Sequence, residues 1–135
     1  MRLLPAALTV CLLLTACGQA VAPAAREKIA QDLQTGKLKP DAQGVVRLPP
    51  DSANASIGGR AFITTNRTGS SWVLLRTWRG KGANLEGYLY APGQPLKVGS
   101  EVDVTTDAGG VIVTAEVTIK RAREASWYAV YSGND

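Results

Sequence analysis

Histidine is absent from all 135 residues. Without an imidazole, neither a Ser-His-Asp nor a Cys-His arrangement can be built, and the usual zinc sets lose their nitrogen donor. Cysteine is nearly as scarce, with one at position 11 and one at position 17. Only one long apolar run exists, residues 3–16, and it contains Pro5. At 14 residues it is too short to cross a bilayer, which takes roughly 20 apolar residues. The phosphate-binding pattern G-x-x-x-x-G-K-[ST] is also missing. The nearest segment, Arg79-Gly80-Lys81-Gly82, has no helical periodicity after it and reads as a glycine-rich hairpin loop. Acidic residues are fewer than basic ones, 11 against 15, for a net charge of +4. The imbalance is local. Residues 52–100 hold Arg60, Arg67, Arg76, Arg79, Lys81 and Lys97 against Glu86 alone. Such an excess either solvates one face or attracts anionic polymers and lipid headgroups.

What is present starts at the N-terminus. Arg2 supplies a positive n-region, residues 3–14 an apolar h-region, and small residues precede Cys17, which is the layout of a secretory signal. The tetrad Leu14-Thr15-Ala16-Cys17 closely resembles the lipobox of bacterial lipoproteins. The resemblance implies cleavage before Cys17, a thioether-linked diacylglycerol (and so fatty acyl chains such as palmitate) on its sulfur, and in many bacteria an acyl chain on its amino group. At about 0.8 kcal/mol per buried CH₂, two or three chains anchor a protein essentially permanently. It also implies an envelope location: aspartate after the cysteine retains such proteins on the inner membrane, and position 18 is glycine. The outer membrane is therefore expected in a two-membrane host, and the outward face of the plasma membrane otherwise. The resemblance covers the signal and these four residues only.

Removing residues 1–16 from 135 leaves 119, one domain of ordinary size with charge 14 minus 11, or +3. With Cys11 discarded and Cys17 modified, that domain has neither thiol nor disulfide and relies on packing alone. Small residues over 17–25 suit a flexible tether, leaving 26–135 as a single β-rich domain. Ala25, Ile29 and Leu33 recur at i, i+4, i+8, so a short helix is expected over 24–35 with Gly36 as its stop. From Gly44 onward the pattern changes to β-like runs at 45–48, 60–65, 71–78, 86–91, 101–106, 111–120 and 126–131. Residues 60–65 and 71–78 are expected to pair through a turn at Asn66-Arg67-Thr68-Gly69. Val102, Val104 and Thr106 alternate with Glu101, Asp103 and Thr105. Asp107-Ala108-Gly109-Gly110 reads as a turn, and the 111–120 run alternates likewise. The expected fold is mainly β, a small antiparallel barrel or sandwich of six to seven strands with one short N-terminal helix.

No catalytic set, metal site or cofactor site is expected. Glu101 and Asp103 fall on the outward face of their strand, where a glycosidase pair would not. Rings and cations cluster instead: Trp72, Trp78, Tyr88 and Tyr90 accompany Arg76, Arg79 and Lys81 within nineteen residues. Simple alternation puts Trp72, Leu74, Arg76 and Trp78 on one face, and Tyr88 with Tyr90 on one face of the next strand. Such rings suit stacking on sugars or gripping anionic polymers and partner proteins. The alternative is that the tryptophans fill a core covered by the arginines. Trp127, Tyr128 and Tyr131 read as core or barrel-closing residues. The expected role is a lipid-anchored, non-catalytic protein-interaction or structural module of the envelope. The alternative is a binder of an anionic or carbohydrate envelope polymer through Arg76, Trp78, Arg79, Lys81, Tyr88 and Tyr90. Nucleic acid is not an expected partner.

Overall fold

A computed structural model of the chain describes residues 23–65, 71–93, 95–124 and 126–132. Cys17, the signal and the turn at 66–69 lie outside these residues. Among the described residues there is one α-helix, α1 (Pro23–Gln34), and seven strands: β1 (Val45–Arg47), β2 (Arg60–Thr65), β3 (Ser71–Arg79), β4 (Leu85–Tyr90), β5 (Glu101–Ala108), β6 (Val111–Ala122) and β7 (Trp127–Ser132). Two 3₁₀ turns, Ala53–Ala55 and Ile57–Gly59, carry the chain from β1 to β2.

Proline opens α1, where its missing N–H has no intrahelical acceptor to lose. The helix therefore begins within 17–25, and Pro23, Ala24 and Ala25 form its first turn rather than part of a tether. Ile29 and Ala30 are buried, and Ala25 and Leu33 pack beside them, so the stripe read from the sequence is the one that docks. Past the helix, Gly36 takes φ 83° and the Leu38 N–H returns to the Asp32 carbonyl at 3.0 Å.

All strand pairings are antiparallel, in the order β1-β2-β3-β4-β7-β6-β5. The sheet curls into a half-barrel that brings β5, at one edge, back against β2. There the Thr105 N–H donates to Thr64 Oγ1 at 2.6 Å. Period-two alternation then sorts the side chains. The concave interior collects Phe62, Leu74, Leu85, Leu89, Val104, Val117, Ile119, Tyr128 and Val130, with Trp72 packed at its margin. The convex face of β2, β3, β4 and β7 supplies Ala61, Val73, Leu75 and Trp127, covered by α1. Each fully buried large apolar side chain contributes about 1.5–3 kcal/mol. Gly87 is required by closeness: a Cβ there would lie 2.1 Å from the Leu75 carbonyl oxygen on β3.

The pairing register shifts at two places, between Arg76 and Trp78 on β3 and between Ile119 and Arg121 on β6, and the first of these redirects a charged side chain toward the site. Between Arg76 and Trp78 the β3–β4 register shifts: Arg76 faces Gly87, Trp78 faces Glu86 and Arg79 faces Leu85. An extra residue in one strand of a pair flips every later side chain to the other face. Trp78 consequently leaves the face of Trp72, Leu74 and Arg76 and turns outward, and Arg79 turns inward. At the β5–β6 hairpin the strand continues through Ala108, so Asp107 is a strand residue and not the start of the turn. The turn itself is Gly109-Gly110, both at positive φ (61° and 88°), between the paired Ala108 and Val111. Two consecutive left-handed residues give the hairpin turn whose twist matches the strands.

Candidate functional site

The half-barrel holds a charged centre where β2 and β3 meet the C-terminal end of β5, whose adjacent Thr106 and Asp107 are both buried. Arg76 and Asp107 are each 1% exposed, and the Arg76 Nη1 donates to Asp107 Oδ1 at 2.7 Å. Nη1 also lies 3.4 Å from Thr106 Oγ1 and from the Asp107 carbonyl. Arg60 Nη2 donates to the other carboxylate oxygen, Oδ2, at 2.9 Å. Arg79, brought inward by the bulge, approaches Oδ1 at 3.8 Å. One carboxylate is thus shared among three guanidinium groups. Burial pushes the Asp107 carboxyl up, but the hydrogen bonds and charges of Arg76 and Arg60 outweigh burial and hold it below the ordinary carboxylate value.

Arg76 Nε and Nη2 have no hydrogen-bond partner among the described residues. The guanidinium carbon lies 4.7 Å from the Phe62 ring centroid, so the aromatic face substitutes for acceptors. Its backbone N–H, beyond the last β2–β3 pair Ala61↔Leu75, donates to the buried Ser56 hydroxyl at 2.9 Å. The first 3₁₀ turn runs straight into Ser56, which explains how that hydroxyl comes to sit there.

A second buried cation lies on the convex side. Arg26, on α1, is 1% exposed. Its Nε donates to Glu124 Oε2 at 2.7 Å, and its Nη2 binds the same oxygen. The guanidinium carbon lies 4.2 Å from the Tyr88 ring centroid and 5.9 Å from that of Trp127. Burial raises the Glu124 carboxyl, while its own backbone N–H and then Arg26 lower it by more, for a net shift below the usual value.

The six residues singled out in the sequence do not form one surface. Arg76 reaches Asp107 inside the curl, and Arg79 approaches it from the exposed rim. Tyr88 and Tyr90 share a face, as alternation requires, but that face lies under α1. Tyr88 carries Arg26, and Tyr90 stacks 5.1 Å from Trp127 and accepts a hydrogen bond from Gln34 Nε2 at 2.6 Å. Lys81 lies exposed in the β3–β4 loop. Trp78, 50% exposed, folds its ring over Gly80. Its cross-strand row continues outward through Glu86 on β4 to Tyr131 on β7, which is 41% exposed. Tyr131 therefore belongs to the surface, unlike Trp127 and Tyr128. Beside it Glu101, Glu116 and Thr118 line a cleft of about 240 Å³. Glu101 and Asp103 are exposed, as alternation implies, and among the described residues no three acidic side chains gather as a metal site would need.

Sequence reasoning missed Arg60 and Asp107 as partners. The available signal was charge bookkeeping: with Glu86 alone among six cations over 52–100, most arginines buried from that region need a carboxylate from outside it. No family model, no curated protein and no solved structure matches this chain.

Proposed function

We propose that this chain is an envelope lipoprotein, anchored through acyl chains on Cys17, whose half-barrel serves as a protein-interaction module. The observation that carries the reading is the Leu14-Thr15-Ala16-Cys17 tetrad behind an apolar run too short to span a bilayer. Only five residues separate Cys17 from the first helical residue, Pro23. Fully extended, that link reaches about 20 Å, so the anchor holds the domain close to the membrane. The outer row of Trp78, Glu86 and Tyr131 is the surface that supports a docking role. Its two exposed rings are one strand apart on either side, about 10 Å, and rings of this kind form the energetic centres of protein interfaces. The flanking Glu86, Glu101 and Glu116 select a partner that offers cationic side chains around an apolar centre.

Metabolic labelling with palmitate tests the anchor. The chain takes up label and sediments with membranes, and Cys17→Ser does neither. An unlabelled wild-type chain, or a Cys17→Ser chain that still sediments, overturns the assignment. For the surface, a photo-crosslinking residue at position 78 captures an envelope protein that one at position 97 does not, and equal capture from both positions removes the role of the row.

A further inference from the structure

Antiparallel register places Arg47 on β1 directly opposite Arg60 on β2. Like charges at facing positions repel, and the surroundings leave the pair short of negative charge. Asp107, which binds Arg60, is already shared with Arg76 and Arg79. Asp41, the other carboxylate at this end, turns Oδ1 onto the N–H groups of Gln43 and Val45 at 2.8 and 3.0 Å. Those bonds, Val45's first, hold it below the ordinary carboxylate value. The side chains of Arg47 and Lys39 make no hydrogen bond or ion pair with any described residue. These groups surround a single cleft of about 260 Å³ lined by Lys39, Pro40, Asp41, Val45, Arg47 and Arg60.

We propose that this cleft is an oxyanion site that takes a phosphate group. Three cations stand against the one carboxylate of Asp41, an excess of two charges, and a phosphate monoester carries about −1.5 to −2 near neutral pH. The guanidinium planes of Arg47 and Arg60 offer forked donors to adjacent oxygens, and Lys39 adds a flexible point charge at the rim. Asp107 acts as a positioning residue: it fixes one edge of the Arg60 guanidinium through Nη2. The site does not depend on the lipid anchor or on the Trp78 row.

Calorimetric titration of the full chain at fixed ionic strength, with inorganic phosphate in one arm and glycerol 3-phosphate in the other, tests the assignment. Saturable binding of either supports it. Tighter binding of the ester identifies a headgroup-like source, and equal or tighter binding of inorganic phosphate identifies the free ion. Arg47→Gln, at an exposed position, weakens binding about tenfold or more, the loss expected for one charged hydrogen-bonding partner. Lys81→Gln, an exposed cation of the β3–β4 loop, leaves binding unchanged. Absence of saturation in both arms, or an affinity unaltered by Arg47→Gln, overturns the proposal.

Discussion

Asp107→Ala is the substitution that most directly interrogates the charged centre. The alanine removes the one carboxylate that Arg76, Arg60 and Arg79 share. Arg60 and Arg79 keep part of their side chains in solvent, at 33% and 43% exposure, and can rehydrate. Arg76, at 1% exposure, cannot. Leaving a buried cation uncompensated costs about 3–5 kcal/mol. For a domain of this size each kcal/mol lowers the melting temperature by roughly 4 °C, so the variant melts about 12–20 °C below the parent. Thermal unfolding followed by near-ultraviolet circular dichroism reads this directly, because Trp127 and Trp72 report on both packed faces. The double variant Arg76→Leu/Asp107→Val recovers most of the loss, since apolar replacements leave no stranded charge in the interior. A cost for Asp107→Ala below about 1 kcal/mol, the value of an exposed ion pair, would refute the role assigned to this carboxylate. So would a double variant no more stable than the single one.

Acidification destabilises the fold by the same logic. Asp107 and Glu124 titrate below their ordinary values of 3.8 and 4.5 in the folded chain. The unfolded chain therefore takes up protons first, and the stability these groups supply at neutral pH is lost as pH falls below about 4. Urea midpoints measured from pH 7 to pH 3 decline, and a midpoint that rises on acidification contradicts the assignment. Glu124→Gln weakens the charge-assisted bonds that Arg26 makes and costs about 1–3 kcal/mol in urea unfolding, whereas Glu116→Gln, on the exposed face of β6, changes stability by less than about 0.5 kcal/mol. Gly87→Ala forces the β3–β4 pair apart at the Leu75 carbonyl. It costs about 1–3 kcal/mol as an overpacking change, seen as a lower urea midpoint.

The strands were legible where their periodicity was clean. Residues 60–65 coincide with β2, the β2–β3 pairing is the expected one, and seven strands with one helix form the mainly β fold anticipated. Val102, Val104 and Thr106 point inward because nothing interrupts their alternation. The candidate site was less legible, because it depends on interruptions. Nothing in Arg76-Thr77-Trp78 marks the extra residue that sends the indole outward and Arg79 inward. Beside that bulge lie the close approach of Gly87 and the Ser56 hydroxyl that accepts from the Arg76 N–H, and neither is read from the local sequence. Asp107 precedes two glycines, and turn chemistry explained it well enough locally. Its burial follows from the curl of the whole sheet, which brings β5 to the cations of β2 and β3. Tyr88 and Tyr90 were correctly placed on one face, but which face the helix would cover is a matter of tertiary packing.

The meeting of β5 with β2 has a mechanical consequence. Across this seam the chain is fastened by a threonine hydroxyl and an arginine–carboxylate clasp, whereas every other neighbouring pair of strands is laced by main-chain bonds. Fastenings made of side chains let go one at a time, so β5 can part from β2 without unzipping a ladder, while the β6–β7 pairing stays laced. Slow deuterium uptake deep in β4 and β7, alongside quick uptake along the outer rim of β5, is the signature of a shell that breathes along one line.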